Sequence, residues 1–72
     1  MDSKILKSKR ILIGMTQKEL AQSIGISEKS YNHKEQNKIE FKLNEIIIIA
    51  KELKLSLIEV NKIFFDNNLP NV

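Results

Sequence analysis

The sequence predicts an all-α fold of five short helices, and three observations predict it. Two capping signatures, Thr16-x-x-Glu19 and Ser56-x-x-Glu59, each stand just before an apolar helical stripe. Gly14 and Gly25 fall where such stripes stop, the position that favours a left-handed residue. No stretch bounded by turn signals alternates apolar and polar residues as a half-buried strand would.

The first helix is expected over Ser3–Ile13. Ile5, Leu6, Leu12 and Ile13 share it with Lys4, Lys7, Lys9 and Arg10, and Gly14 follows its end. The second starts at Thr16, where each side chain of the Thr16/Glu19 box satisfies an orphan backbone N–H. Met15 and Leu20 occupy the staple positions, and Leu20, Ala21 and Ile24 form the apolar stripe.

Gly25 then takes the chain out of the helix without a Cβ clash. Ile26 drops below the corner, and Ser27 caps the third helix at once. Ala21 is small enough to let that helix cross close to the second.

The fourth helix holds Leu43, Ile46, Ile47, Ile49, Ala50 and Leu53 as its expected core face, with Ile48 pointing away. The β-branched run Ile46–Ile49 would also suit a buried strand, but a strand here has no sheet to join. The fifth helix opens with the Ser56/Glu59 box, has Leu55 and Val60 as its staple, and runs through Ile63 to Phe64 or Phe65. Residues 1–66 are expected to form one domain and 67–72 a flexible tail.

Composition narrows the function classes. A chain of 72 residues buries a small core, about 60% of its unfolded surface. It has no cysteine and one histidine, so disulfides, thiolate sites and Cys/His zinc clusters are excluded. There is no glycine-rich phosphate loop and no nucleophile–base pairing, so no enzymatic activity and no cofactor are expected. The charged N-terminus lacks the apolar core of a signal peptide, and no apolar run approaches a membrane span, so a cytoplasmic location with no membrane partner is expected. Heavy use of Ile, Lys and Asn points to an AT-rich coding sequence of bacterial or phage type. Residues 1–42 carry nine Lys/Arg against five Asp/Glu, and residues 43–72 carry three against four. A basic front half suits a module that meets an anion with one face.

The second helix, its three-residue turn and the third helix together make a helix-turn-helix. The stretch TQKELAQSIGISEKSYNHKEQNK resembles that of the lambda repressor and Cro family, the XRE-type regulators, through Thr16, Gln17, Leu20, Ala21, Gly25, Ile26, Ser27, Ser30, Tyr31 and Glu35. Leu43, Ile46, Ile49, Ala50, Leu53 and Ser56 continue the same spacing, so the resemblance covers about residues 4–65. It departs at Lys34, where an aromatic or similar residue is usual, at Asn37 for Gly, at Phe41 for Pro, and at Lys42 for a Ser or Thr cap.

The resemblance implies a lambda-repressor-like DNA-binding domain, a short regulator of phage or mobile-element type, whose third helix enters the major groove. Its outward face would carry Ser27, Glu28, Lys29, Asn32 and His33. Lys29 would donate to guanine, Asn32 pair with adenine, and Glu28 accept from cytosine. Phosphate contacts would come from Gln17, Asn37, Lys38 and Lys42, with Lys9 and Lys34 as further candidates. Arg10 and Glu35 would form a partly buried ion pair joining the first and third helices; a direct phosphate contact is the alternative for Arg10.

One recognition helix covers few base pairs, so a homodimer on a near-palindromic site is expected, with helices one turn, about 34–36 Å, apart. Leu57, Ile58, Phe64 and Phe65 are the expected dimer patch, with Ile48 or Leu69 at its edge. Adjacent Phe64 and Phe65 diverge by about 100° on a helix, so one of them should be free for a partner. The function expected is transcriptional repression on double-stranded DNA. The alternative is an antitoxin or other protein-binding module of the same fold, acting on a protein partner such as a toxin or antirepressor. No small-molecule ligand is expected.

Overall fold

The computed structural model describes residues 1–70, which form five helices and, among the described residues, no strand: α1 Ser3–Ile13, α2 Gln17–Ile24, α3 Glu28–Glu35, α4 Leu43–Glu52 and α5 Leu57–Phe64. Val72 and Asn71, part of the expected tail, lie outside the described residues.

Local chemistry sets the helix starts. Asp2 accepts from the Ile5 N–H at 3.1 Å and caps α1. Thr16 and Glu19 exchange two hydrogen bonds, 2.9 and 3.1 Å, at the head of α2. Ser27 accepts from the Ser30 N–H at 3.0 Å to start α3. Ser56 and Glu59 repeat the full box at α5, 2.9 and 3.1 Å. At α4, Lys42 has no acceptor to offer, so only half a box forms: Glu45 accepts from the Lys42 N–H at 2.7 Å.

Helix ends follow one pattern. After α1, α2, α3 and α4 a left-handed residue stands in turn: Gly14 (φ 86°), Gly25 (φ 85°), Asn37 (φ 65°) and Lys54 (φ 53°). The next N–H reaches back five residues each time, as Met15 to Arg10, Ile26 to Ala21, Lys38 to His33 and Leu55 to Ala50. These are Schellman closures, which satisfy carbonyls that the helix leaves orphaned.

Leu6, Leu20, Ala21, Tyr31, Ile49, Leu53 and Ile63 make the core, with Ile5, Met15, Ile24, Ile26, Phe41, Leu55 and Phe64 packed against it. Ala21, fully covered, lets α3 lie close on α2. Phe41, from the α3–α4 loop, bridges Tyr31 and Phe64 with ring centroids 5.8 Å away on both sides. The N-terminus is tied to α5 by the Asp2 N–H donating to the Ile63 carbonyl at 2.8 Å. Beyond α5, the Leu69 N–H donates to the buried Asn61 side chain at 2.9 Å.

The expected face of α4 needs correction. Ile46, Ile49 and Leu53 are buried, but Leu43 is 66% and Ile47 50% exposed. Ile48, expected outside, is half-buried. In α1 the expected apolar set splits: Leu6 is buried and Ile5 packs inward, whereas Leu12 and Ile13 are exposed.

Candidate nucleic-acid interface

The third helix has two chemically different sides. Tyr31, Lys34 and Glu35 are buried. Lys29 and Gln36 are exposed, and Asn32 and His33 half-exposed. Those four follow the spacing i, i+3, i+4, i+7 and so share one face. Gln36 was absent from the expected set; its spacing from Asn32 is the signal that would have included it. Glu28 is exposed at the start of the helix. Ser27 is exposed too, but its hydroxyl is already engaged, accepting from the Ser30 N–H and donating to the Ser30 hydroxyl at 2.9 Å.

A buried polar cluster holds this helix from behind. Glu35 accepts from Arg10 twice, from Nε at 2.9 Å and Nη2 at 3.1 Å. It also accepts from the Tyr31 hydroxyl at 2.5 Å and from Gln17 Nε2 at 3.2 Å. Arg10 spends its remaining arm on the Met15 carbonyl, 2.8 Å. Burial works against the charged form of Glu35, but the Arg10, Tyr31 and Gln17 donors outweigh it and lower its pKa. The hydrogen bond to Glu35 raises Arg10 despite its burial. Burial first, then the neighbouring carboxylate, pushes the Tyr31 hydroxyl up, so it stays a neutral donor.

The cluster reaches the outward face through two amides. Asn32 Nδ2 donates to Gln17 Oε1 at 3.1 Å, and Gln17 Nε2 donates to Glu35. Because a carboxylate only accepts, it fixes which way Gln17 points, and Gln17 in turn fixes Asn32. Among the described residues, the Asn32 oxygen and its second N–H, and one N–H of Gln17, have no protein partner.

The expected phosphate residues divide similarly. Gln17 is half-buried at the first position of α2; Asn37, Lys38 and Lys42 are exposed in or beside the α3–α4 loop. Among the described residues, no salt bridge involves Lys29, Lys38 or Lys42. The two further lysine candidates are engaged elsewhere. Lys9 pairs with Glu59, and its donor, together with the Ser56 N–H, lowers the Glu59 pKa to about 2. Lys34 is buried and bonded to Glu45 at 2.7 and 2.9 Å.

Of the expected dimer residues, Leu57 and Ile58 are 62% and 67% exposed. Phe64 packs against the core, edge-on to Phe41. Phe65 is half-buried beside an open apolar trough of about 570 Å³, which Leu43, Ile47, Ala50, Leu57 and Val60 also line. Among the described residues no helix is long and apolar enough to cross a membrane.

A family model described as helix-turn-helix matches residues 6–60, from α1 into α5. No curated protein and no solved structure matches the chain.

Proposed function

The chain belongs to the XRE-type helix-turn-helix family of DNA-binding regulators, and from that premise we propose that it is a repressor that binds a near-palindromic operator as a two-fold dimer. In this reading α3 lies in the major groove. Lys29 donates to guanine O6 and N7, and Asn32 pairs with adenine N6 and N7 through its remaining N–H and its oxygen. Glu28 accepts from cytosine N4, while His33 and Gln36 line the same groove. Gln17, Asn37, Lys38 and Lys42 hold the phosphates on either side, aided by the backbone N–H groups that open α2.

The observation that carries the proposal is the two-sided third helix. Its inner side is locked by a buried carboxylate, and its outer side offers a lysine and amides with spare hydrogen-bonding capacity. The dimer contact is assigned to the trough between α4 and α5, with Leu57 and Ile58 on its rim, because apolar side chains this exposed on a small domain mark an interaction surface.

The same trough favours a second reading, in which a protein partner such as a toxin or antirepressor occupies it. Selection of bound sequences from random duplex DNA separates the two. A two-fold symmetric motif is expected for the repressor; a flat result at low salt would refute it and leave the protein-partner reading. Asn32→Ala should relax preference at one base pair of each half-site, and equal weakening on every sequence would show that α3 is misplaced in the groove.

A further inference from the structure

Lys34 and Glu45 are an oddity that stability alone does not explain. Both side chains are at least nine-tenths buried, and both carboxylate oxygens are within 2.9 Å of Lys34 Nζ. A buried ion pair of this kind contributes little net stability, because desolvating two charges offsets most of their attraction; apolar residues of similar volume often serve as well or better. At Lys34 the resemblance described above leads one to expect an aromatic or similar side chain.

The place of the pair in the fold points to a different role. Lys34 sits in the last turn of α3 and Glu45 in the first turn of α4. Between them runs the loop of residues 36–42. Glu45 grips that loop a second time, accepting from the Lys42 N–H at 2.7 Å. Lys34 Nζ lies 6.0 Å from the Phe41 ring centroid, so it also covers the residue that anchors the loop to the core. The loop lacks a proline that would stiffen it through the backbone. One carboxylate thus binds the end of the recognition helix, the end of the loop and the start of α4 into one unit. Burial opposes its charged form, yet the Lys34 and Lys42 donors win and lower its pKa, which keeps the grip ionised at neutral pH.

We propose that the Lys34–Glu45 pair is a positioning device for DNA binding: it fixes the α3–α4 loop relative to the recognition helix, so that Asn37, Lys38 and Lys42 meet the phosphates while α3 is seated in the groove. This rests on the proposed role of that loop as a phosphate clamp. The pair sets affinity through geometry and touches no DNA itself.

The test is the double variant Lys34→Met/Glu45→Gln. Methionine keeps the length and packs on Phe41, and glutamine keeps the cap on the Lys42 N–H while removing the tie. Thermal unfolding should stay cooperative. Affinity should fall on all sequences alike, and the slope of log affinity against log salt should shrink by about one to two per bound protomer. A folded double variant with the wild-type affinity and salt slope would overturn the proposal. Lys38→Ala tests the underlying clamp separately: if it leaves the slope unchanged, the clamp reading fails; if it lowers the slope by about one while the double variant does not, the positioning role alone fails. If the double variant does not fold, backbone relaxation of the wild-type protein decides. Order parameters for residues 38–41 equal to those of α3 and α4 support a held loop, and values below about 0.6 overturn it.

Discussion

Arg10→Met probes the buried cluster behind α3. The substitution keeps most of the apolar stem but removes three donors, two to Glu35 and one to the Met15 carbonyl. It leaves Glu35, 3% exposed, with only the Tyr31 hydroxyl and Gln17 amide as donors. Removing one partner of a buried pair typically costs about 3–5 kcal/mol. At roughly 0.05–0.15 kcal/mol per residue, a domain of this size has about 4–11 kcal/mol in all. The variant should therefore lose about a quarter or more of its stability, and with the lowest total stability and the largest cost it should be mostly unfolded at 25 °C.

The pH dependence is the sharper reading. In the native protein the Glu35 pKa is lowered, so its contribution is present above the ordinary carboxylate range and is lost as pH falls through the lowered value. In Arg10→Met the same buried carboxylate lacks its cation, and burial raises its pKa above the unfolded value. Its penalty is then largest at neutral pH and is relieved as acid protonates it. The stability gap between the two proteins should narrow from pH 7 to pH 5, by up to about 1.4 kcal/mol per pH unit. Taking the difference cancels the other lowered carboxylates, Glu19, Glu45 and Glu59, which both proteins share. Urea unfolding followed by circular dichroism across that range is the assay. A neutral-pH loss under about 1 kcal/mol, or a gap that widens on acidification, would refute the electrostatic account of the cluster.

Two further substitutions test the frame around it. A Cβ at Gly25 would meet nothing within 4 Å, so Gly25→Ala should cost only the left-handed backbone, about 1–2 kcal/mol, or roughly 4–8 °C in melting temperature per kcal/mol; a larger loss would reveal a clash that the structure does not contain. Asn61→Ala removes the acceptor that holds the Leu69 N–H, so amide exchange at Leu69 should accelerate tenfold or more, to the order of a locally unfolded segment, while the helices keep their protection; unchanged exchange would mean that residues 67–70 are held by something other than Asn61.

The parts of the fold that were legible are those decided within a few residues. Thr16/Glu19, Ser27 and Ser56/Glu59 act on N–H groups three positions away, and Gly14 and Gly25 act on their own φ. The core face of α4 was legible only in part, because four consecutive isoleucines carry no phase. Ile46, Ile49 and Leu53 form the true stripe, but Leu43, Ile47 and Ala50 lie on an equally regular one. Lys54 closes α4 in a left-handed conformation although nothing about lysine signals it. The Arg10–Glu35 pairing was expected through family resemblance, since no local pattern links residues 25 apart. The Gln17–Asn32 link and the Lys34–Glu45 pair had no such guide: each depends on how two helices approach, which the linear sequence does not encode in any short window.

The charge distribution makes the same point and changes what should attract DNA. By halves of the chain the balance is +4 and −1, which reads as a basic front and a faintly acidic back. Two of the front cations, Lys9 and Lys34, are paired with Glu59 and Glu45 from the back half. Removing those two pairs leaves +2 in front and +1 behind, so the asymmetry nearly disappears. The two halves of the chain therefore no longer differ enough in charge to orient it by themselves. Near α3 the relevant cations are Lys29 on its outward face, and Lys38 and Lys42 one loop away; each is outside any salt bridge among the described residues, as are Lys4, Lys7, Lys18, Lys51, Lys54 and Lys62 elsewhere on the chain. Exposed charges act within a Debye length, about 10 Å at 0.1 M salt, so the lysines beside α3 count for more than those on distant faces. Binding should then depend on the placement of these three side chains more than on net charge. Moving a lysine from elsewhere on the surface should not replace one of them.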